Sequence, residues 1–324
     1  MSAVEPRPTD TAGSLVPPWP GEHVTLGGRP VFVRSDRCGI GCAVPRQRTV
    51  YVHGLAGSAM DWTDLMGALH GEFAGEAIDL PGFGESPPPA DDDYGFDAQV
   101  RVVTDLLRTG PWPVHLVGNS MGAAVATRLA AESPELVRTL TLIAPALPDL
   151  RPMRVPYQMT GALVPVIGPA VYDRIQRRPP EARVRDTLAT THYDPAAIPR
   201  QRLLEAVAAE RARDGHPYAR RAVLETLRGL VGEYLRRGPR ALWRQAARVE
   251  CPTLLVYSRH DRFVHRHMAT RAFWTFRRSR LVLLAKAGHV PMMELPGVVA
   301  RELRAFLRRP ERMGRLPDPA CQPV

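Results

Sequence analysis

The segment Val114-His115-Leu116-Val117-Gly118-Asn119-Ser120-Met121-Gly122 is an apolar run that enters a G-x-S-x-G turn. Where such a turn joins a strand to a helix, its glycines leave room for a strained backbone. That backbone lifts the serine hydroxyl above the sheet edge and aims it toward the helix N-terminus. The chemistry on offer is nucleophilic attack by Ser120 on an acyl carbon. A serine hydroxyl becomes nucleophilic only when a base takes its proton and a third group holds that base in the right tautomer.

Ten histidines are available as the base. His289, in Ala287-Gly288-His289-Val290-Pro291, directly follows the last apolar run, at the C-terminal strand edge where open α/β sheets place their sites. His115 lies inside a strand-like run, His192 and His216 fall in a long helical stretch, and His260, His265 and His267 crowd one loop. The acid is assigned to Asp261, in Ser258-Arg259-His260-Asp261-Arg262-Phe263-Val264, just past the preceding apolar run; Asp149 is the fallback. Ser120, Asp261 and His289 then follow one another in the order expected of a serine turn on an α/β sheet.

Attack on an acyl carbon leaves negative charge on the former carbonyl oxygen, which two preorganised N–H donors must meet. The backbone N–H of Met121, the residue after Ser120, is one. The loop His53-Gly54-Leu55-Ala56-Gly57-Ser58 is expected to supply the other from Leu55, with His53 bracing the loop rather than moving protons.

These residues need a scaffold, and the hydrophobic pattern supplies one. Residues 22–34 hold two short β-like runs around Gly27-Gly28, which reads as a hairpin. Strands at 48–53, 76–79, 114–117 and 139–144 then alternate with helices at 63–73, 96–108 and 121–131. Such alternation implies a parallel sheet covered on both faces. From 147 to 240 it stops, and the chain reads as helices broken by Pro and Gly. It resumes with a strand at 253–257, a helix at 267–276, a strand at 281–285 and a helix at 297–307. The expected division is a disordered leader at 1–20, a core from 21–146 and 241–310, a helical cap at 147–240 and a flexible tail at 311–324.

Bulk properties exclude several classes. A chain of 324 residues, 44% of them hydrophobic, can bury one sizeable core. Its formal charge is +10, and all but one of its 43 basic residues are arginine, Lys286 being the exception. No basic stripe interleaved with aromatics and no DNA-binding spacing accompanies that charge, so no nucleic-acid partner is expected. Four cysteines are too few and too scattered for a disulfide scaffold. Cys38 and Cys42 share one loop without a second pair at ligand spacing, so no metal is expected, and Cys251 reads as a small buried residue. The N-terminus lacks a basic segment followed by an apolar one, and no apolar run approaches the ~20 residues of a membrane span. A soluble cytoplasmic enzyme acting on a small molecule is the expectation.

In order along the chain, the His53-Gly54 loop, Asp79-Leu80-Pro81-Gly82-Phe83-Gly84-Glu85-Ser86, the turn at 118–122, Asp261 and Gly288-His289 together resemble the α/β-hydrolase family over residues 22–310. The resemblance implies an α/β fold with an eight-stranded, mostly parallel sheet flanked by helices, an inserted helical cap and no cofactor. A serine as nucleophile argues against the epoxide-hydrolase and haloalkane-dehalogenase branches. Hydrolysis of a small or medium carboxylic ester through an acyl-enzyme is the expected activity. The turn at 118–122 and Asp261-Arg262-Phe263-Val264 also look like those of the meta-cleavage C–C hydrolases, but the oxyanion loop lacks their Gly-rich stretch and Val290 stands where they carry Trp. Acyl transfer or perhydrolysis would use the same triad, whereas a ligand-binding protein of this fold would need none of it. Within the cap, the apolar stretch at 157–172, with Leu163 and Ile167, is expected to wall an acyl pocket, and Val290 to contact substrate beside the base. Packing of the cap's own core is the competing reading for that stretch.

Overall fold

The computed structural model describes residues 4–5, 15–36, 46–149, 151, 153–164 and 167–308. Cys38, Cys42 and the expected tail at 311–324 lie outside the described residues. Eight strands form one sheet: β1 (Gly21–Leu26), β2 (Arg29–Ser35), β3 (Gln47–Val52), β4 (Phe73–Ile78), β5 (Val114–Asn119), β6 (Val137–Ile143), β7 (Thr253–Ser258) and β8 (Ser279–Leu284). Their spatial order is β1-β2-β4-β3-β5-β6-β7-β8. The β1/β2 hairpin turns at Gly27 and Gly28, both at positive φ, and meets β4 antiparallel; every later pairing is parallel. β5 and β7 are buried at all six positions, as central parallel strands covered on both faces must be.

The covering helices follow from their apolar spacing. α1 (Thr63–Leu69), α11 (Pro291–Glu294) and α12 (Pro296–Leu307) share a core with Tyr51, Val117, Leu254 and Val282 on one face. On the other, α2 (Phe96–Arg108), α3 (Met121–Glu132) and α10 (His267–Thr275) bury Val103, Val125 and Ala272. α3 is rich in alanine because it lies hard against the strands. A Cβ on Gly122 would sit 2.3 Å from the Val52 carbonyl oxygen, and one on Gly118 would sit 2.6 Å from that of Gly122. Both obstacles are backbone. Gly122→Ala is therefore expected to destabilise the fold by about 1–3 kcal/mol or more through overpacking, read as a lowered melting temperature. An unchanged melt would show that α3 can slide.

Between β6 and β7 come α4 (Arg154–Thr160), α5 (Ile167–Gln176), α6 (Pro180–Thr191), α7 (Arg200–Asp214), α8 (Ala219–Leu235) and α9 (Leu242–Ala246), with no strand among the described residues. Charged clamps tie this segment to the core. The fully buried Arg128 of α3 pairs with Glu233 of α8 and with Asp97 of α2, and Arg202 of α7 reaches Asp64 of α1 at 2.6 Å.

Local expectations needed correcting in three places. The helix expected at 63–73 stops at Leu69, because His70 turns extended and Gly71 adopts φ +85°; Phe73 then opens β4, earlier than the strand expected at 76–79. Leu69 and Phe73, four apart, mimic a helix face from opposite sides of that turn. The leader is not wholly loose. Val4 bridges to Leu284 on the edge strand β8, donating its N–H to the Leu283 carbonyl at 2.8 Å, and the Trp19 indole donates to the Thr63 carbonyl at 3.1 Å. An edge strand offers unpaired backbone groups, and a few anchors in a Pro-rich segment suffice to use them. Cys251, expected to be buried, is only partly so.

Candidate active site

Ser120 sits between β5 and α3 with φ 52° and ψ −115°. A non-glycine residue in this region carries about 1–3 kcal/mol of strain, held in place by the surrounding structure. The hold is visible. The Ser120 N–H donates to the Ile143 carbonyl at 3.0 Å, and the neighbouring Asn119 amide donates to the carbonyls of Ile143 and His289, each at 3.2 Å. Asn119 thus ties the serine turn to the loop of the expected base. Among the described residues, the Ser120 hydroxyl itself makes no hydrogen bond.

His289 follows β8, and its Nδ1 lies 3.0 and 2.9 Å from the two carboxylate oxygens of Asp261. Asp261 follows β7 and is oriented by its own backbone: Oδ1 accepts the N–H of Phe263 at 2.7 Å and of Val264 at 3.0 Å. The Phe263 ring packs 4.5 Å from the imidazole, and both members of the pair are buried. An acceptor facing Nδ1 places the proton there and leaves Nε2 free to act as a base. Asp149, the fallback acid, instead meets the exposed His267 at 3.1 Å.

The His53–Ser58 loop after β3 lies against the serine turn: a Cβ on Gly54 would come within 3.2 Å of the Ser120 Cβ. His53 braces this loop as expected. Its Nε2 accepts the Leu80 N–H at 3.0 Å, so Nδ1 carries the proton and donates to the Gly54 carbonyl at 2.7 Å. Burial lowers its pKa to about 4, which keeps the ring neutral. Leu80 belongs to the second glycine-rich loop, where buried Asp79 accepts the N–H groups of Ala59 and Glu85. Leu55 follows Gly54 in the same loop. Met121 is the first residue of α3, where a helix leaves N–H groups without internal partners.

Three residues here carry no local sequence signal. Arg213 of α7 donates to the carbonyl of Ala56, whose φ is 60°, at 3.0 Å, and is itself held by Glu210 at 2.8 Å. Thr191 at the end of α6 accepts the His289 N–H at 2.6 Å. Glu294 bridges the Gly288 N–H at 2.7 Å and the Tyr193 N–H at 2.6 Å. Burial holds its carboxyl above the usual carboxylate range. A sequence motif reports only neighbours along the chain, and the contacts to Ala56, His289 and Tyr193 join elements far apart in it.

The expected acyl-wall residues are placed differently from one another. Ile167 is 56% exposed, Leu163 is half-buried, and Val290 is buried in the core cluster that holds Met292 and Val298. Ile167 is thus largely open to solvent. The side chain of Val290 is taken up by that packing.

A family model for the α/β-hydrolase fold matches residues 50–296. The chain belongs to the α/β-hydrolase family. It is 28% identical over 257 residues to a pimeloyl-[acyl-carrier protein] methyl ester esterase of Aeromonas hydrophila, covering 76% of this chain and 90% of that protein. It is 24% identical over 293 residues to lipase 3 of a Moraxella species, covering 86% of this chain and 81% of that one. Its backbone also superposes on a 2-hydroxy-6-oxo-6-phenylhexa-2,4-dienoate hydrolase of a Rhodococcus species with a TM-score of 0.71, at 21% identity over 89% of this chain and 98% of that one, a likeness of fold. No helix among the described residues is long and apolar enough to cross a membrane.

Proposed function

We propose that this protein hydrolyses a small or medium carboxylic ester, with Ser120 as nucleophile, His289 as base and Asp261 as orienting acid. The observation that carries the reading is the buried Asp261–His289 pair, tied by Asn119 to a serine turn with a positive-φ backbone. As substrate enters, the Ser120 hydroxyl meets His289 Nε2, a contact that apo geometry often leaves unmade. Ser120 Oγ attacks the acyl carbon while His289 takes its proton. The oxyanion lies against the N–H groups of Leu55 and Met121. His289 returns the proton to the departing alcohol, and water activated by the same imidazole releases the acid from Ser120. The ester-hydrolysing activities named for both sequence relatives support an ester over a C–C substrate. A panel of p-nitrophenyl esters of increasing chain length, with fluorophosphonate labelling of Ser120, tests the reading. Labelling with ester turnover supports it; neither would overturn it.

In this reading the helices α4–α9 form a cap over the site, and α7 sets the oxyanion loop through Arg213. In the same reading the half-buried Leu163 contributes the cap's contact with the acyl chain. Leu163→Ala is expected to move preference from butyrate toward decanoate esters by about tenfold, the lower end of what one methylene is worth in an apolar pocket. Ile167→Ala is expected to leave the profile unchanged and to shift stability by no more than about 0.5 kcal/mol, as for an exposed side chain. Equal profile shifts in both variants would place Ile167 in the pocket after all.

A further inference from the structure

Beside the Asp261–His289 pair, a cavity of about 370 Å³ is lined by Met153, His192, Tyr193, Arg259, His260, Asp261 and Arg262. Its volume falls in the range of small-molecule sites. Its charge is not balanced internally. Among the described residues the exposed Arg259 side chain has no hydrogen bond or ion pair, and Arg262 commits one N–H, to the Ala189 carbonyl at 2.7 Å. The carboxylate of Asp261 pairs with neither, its oxygens being turned to two backbone N–H groups and to His289, and its single charge cannot balance two guanidinium groups. Two unpaired guanidinium groups at one cavity are suited to bidentate capture of a carboxylate or phosphate.

The rest of the wall suits an organic body behind such a head. The rings of Tyr193 and His260 pack 4.5 Å apart, with Met153 as a further apolar contact. The Thr191 hydroxyl donates to the Thr187 carbonyl and so accepts from His192 Nδ1 at 2.8 Å, leaving His192 Nε2 as an acceptor. The wall is firm because the bonds that hold the base also hold it. Glu294 carries the Tyr193 N–H together with that of Gly288, and Thr191 carries the N–H of His289. We propose that this cavity is an anion subsite, taking the carboxylate or phosphate group of a small molecule at Arg259 and Arg262. That the anion is the far end of the ester substrate rests on the function proposed above; binding of the anion itself does not.

The test has two arms. In the first, inorganic phosphate and glutarate are titrated calorimetrically into Ser120→Ala protein, which removes turnover. Saturable binding is expected, weakened about tenfold or more by Arg259→Gln and further by Arg259→Gln with Arg262→Gln. Arg259→Gln alone removes no intramolecular bond, so its folding is not in question. Absence of binding, or equal binding to the double variant, overturns the proposal. In the second arm, kcat/KM for monomethyl glutarate is compared with that for methyl pentanoate. A preference for the charged ester that disappears in Arg259→Gln assigns the anion to the substrate. Phosphate binding without that preference assigns the subsite to a free anion. If the wild type cleaves neither ester yet phosphate still binds, the subsite stands and the esterase reading falls.

Discussion

Purified Ser120→Ala is expected to hydrolyse p-nitrophenyl esters about 10⁴- to 10⁶-fold more slowly than the wild type, because nucleophile and base act as one unit and removing either forfeits nearly all of their joint contribution. The fold should not notice. Ser120 precedes α3 without a side-chain cap, and its hydroxyl makes no hydrogen bond among the described residues, so deleting the oxygen breaks nothing. The backbone strain at φ 52° is imposed by the Ile143 and Asn119 contacts and persists in alanine. Matched melting curves beside the rate assay separate loss of chemistry from loss of structure. Retention of more than a tenth of wild-type activity by folded protein would remove Ser120 from the mechanism.

The second large effect is expected at Asp261. Asparagine there can keep accepting the Phe263 and Val264 N–H groups through Oδ1, which turns its NH₂ toward His289 Nδ1. A donor facing Nδ1 forces the imidazole proton onto Nε2, where the ring can no longer accept from serine. The expected fall in kcat is about 10⁴-fold, the size associated with holding a catalytic histidine in the wrong tautomer. Asp149→Asn should leave kcat unchanged, because Asp149 faces the exposed His267. The comparison is made at saturating ester across a pH series. The reverse ranking would transfer the acid to the earlier strand.

The loops after β5, β7 and β8 show where the sequence was legible. Ser120, Asp261 and His289 each directly follow an apolar run, and in a parallel sheet the ends of those runs share one edge whatever the intervening chain does. Strand order is harder to read, yet the right-handed crossover rule and alternating pattern were enough for a doubly covered sheet. The glycines at 118 and 122 were readable for the same reason: their cost elsewhere is high, so their spacing at a turn carries meaning. Boundaries failed where one side-chain spacing serves two conformations, as at Leu69 and Phe73 around Gly71.

What the sequence determined by itself was the family and the alternating scaffold, and it named the three residues expected to do the chemistry, because each of these is written in neighbours within a few positions. Only the tertiary structure decided how the elbow, base loop and helical insertion are held together. Asn119 reaches His289 across 170 positions, Arg213 reaches Ala56 across 157, and Glu294 reaches Tyr193 across 101. It also decided that Ile167 meets solvent while Val290 is buried, and that Arg259 and Arg262 face a cavity. Hydrophobicity along the chain says whether a side chain is suited to burial. Which surface it is buried against depends on contacts between distant segments, and those exist only once the chain has folded.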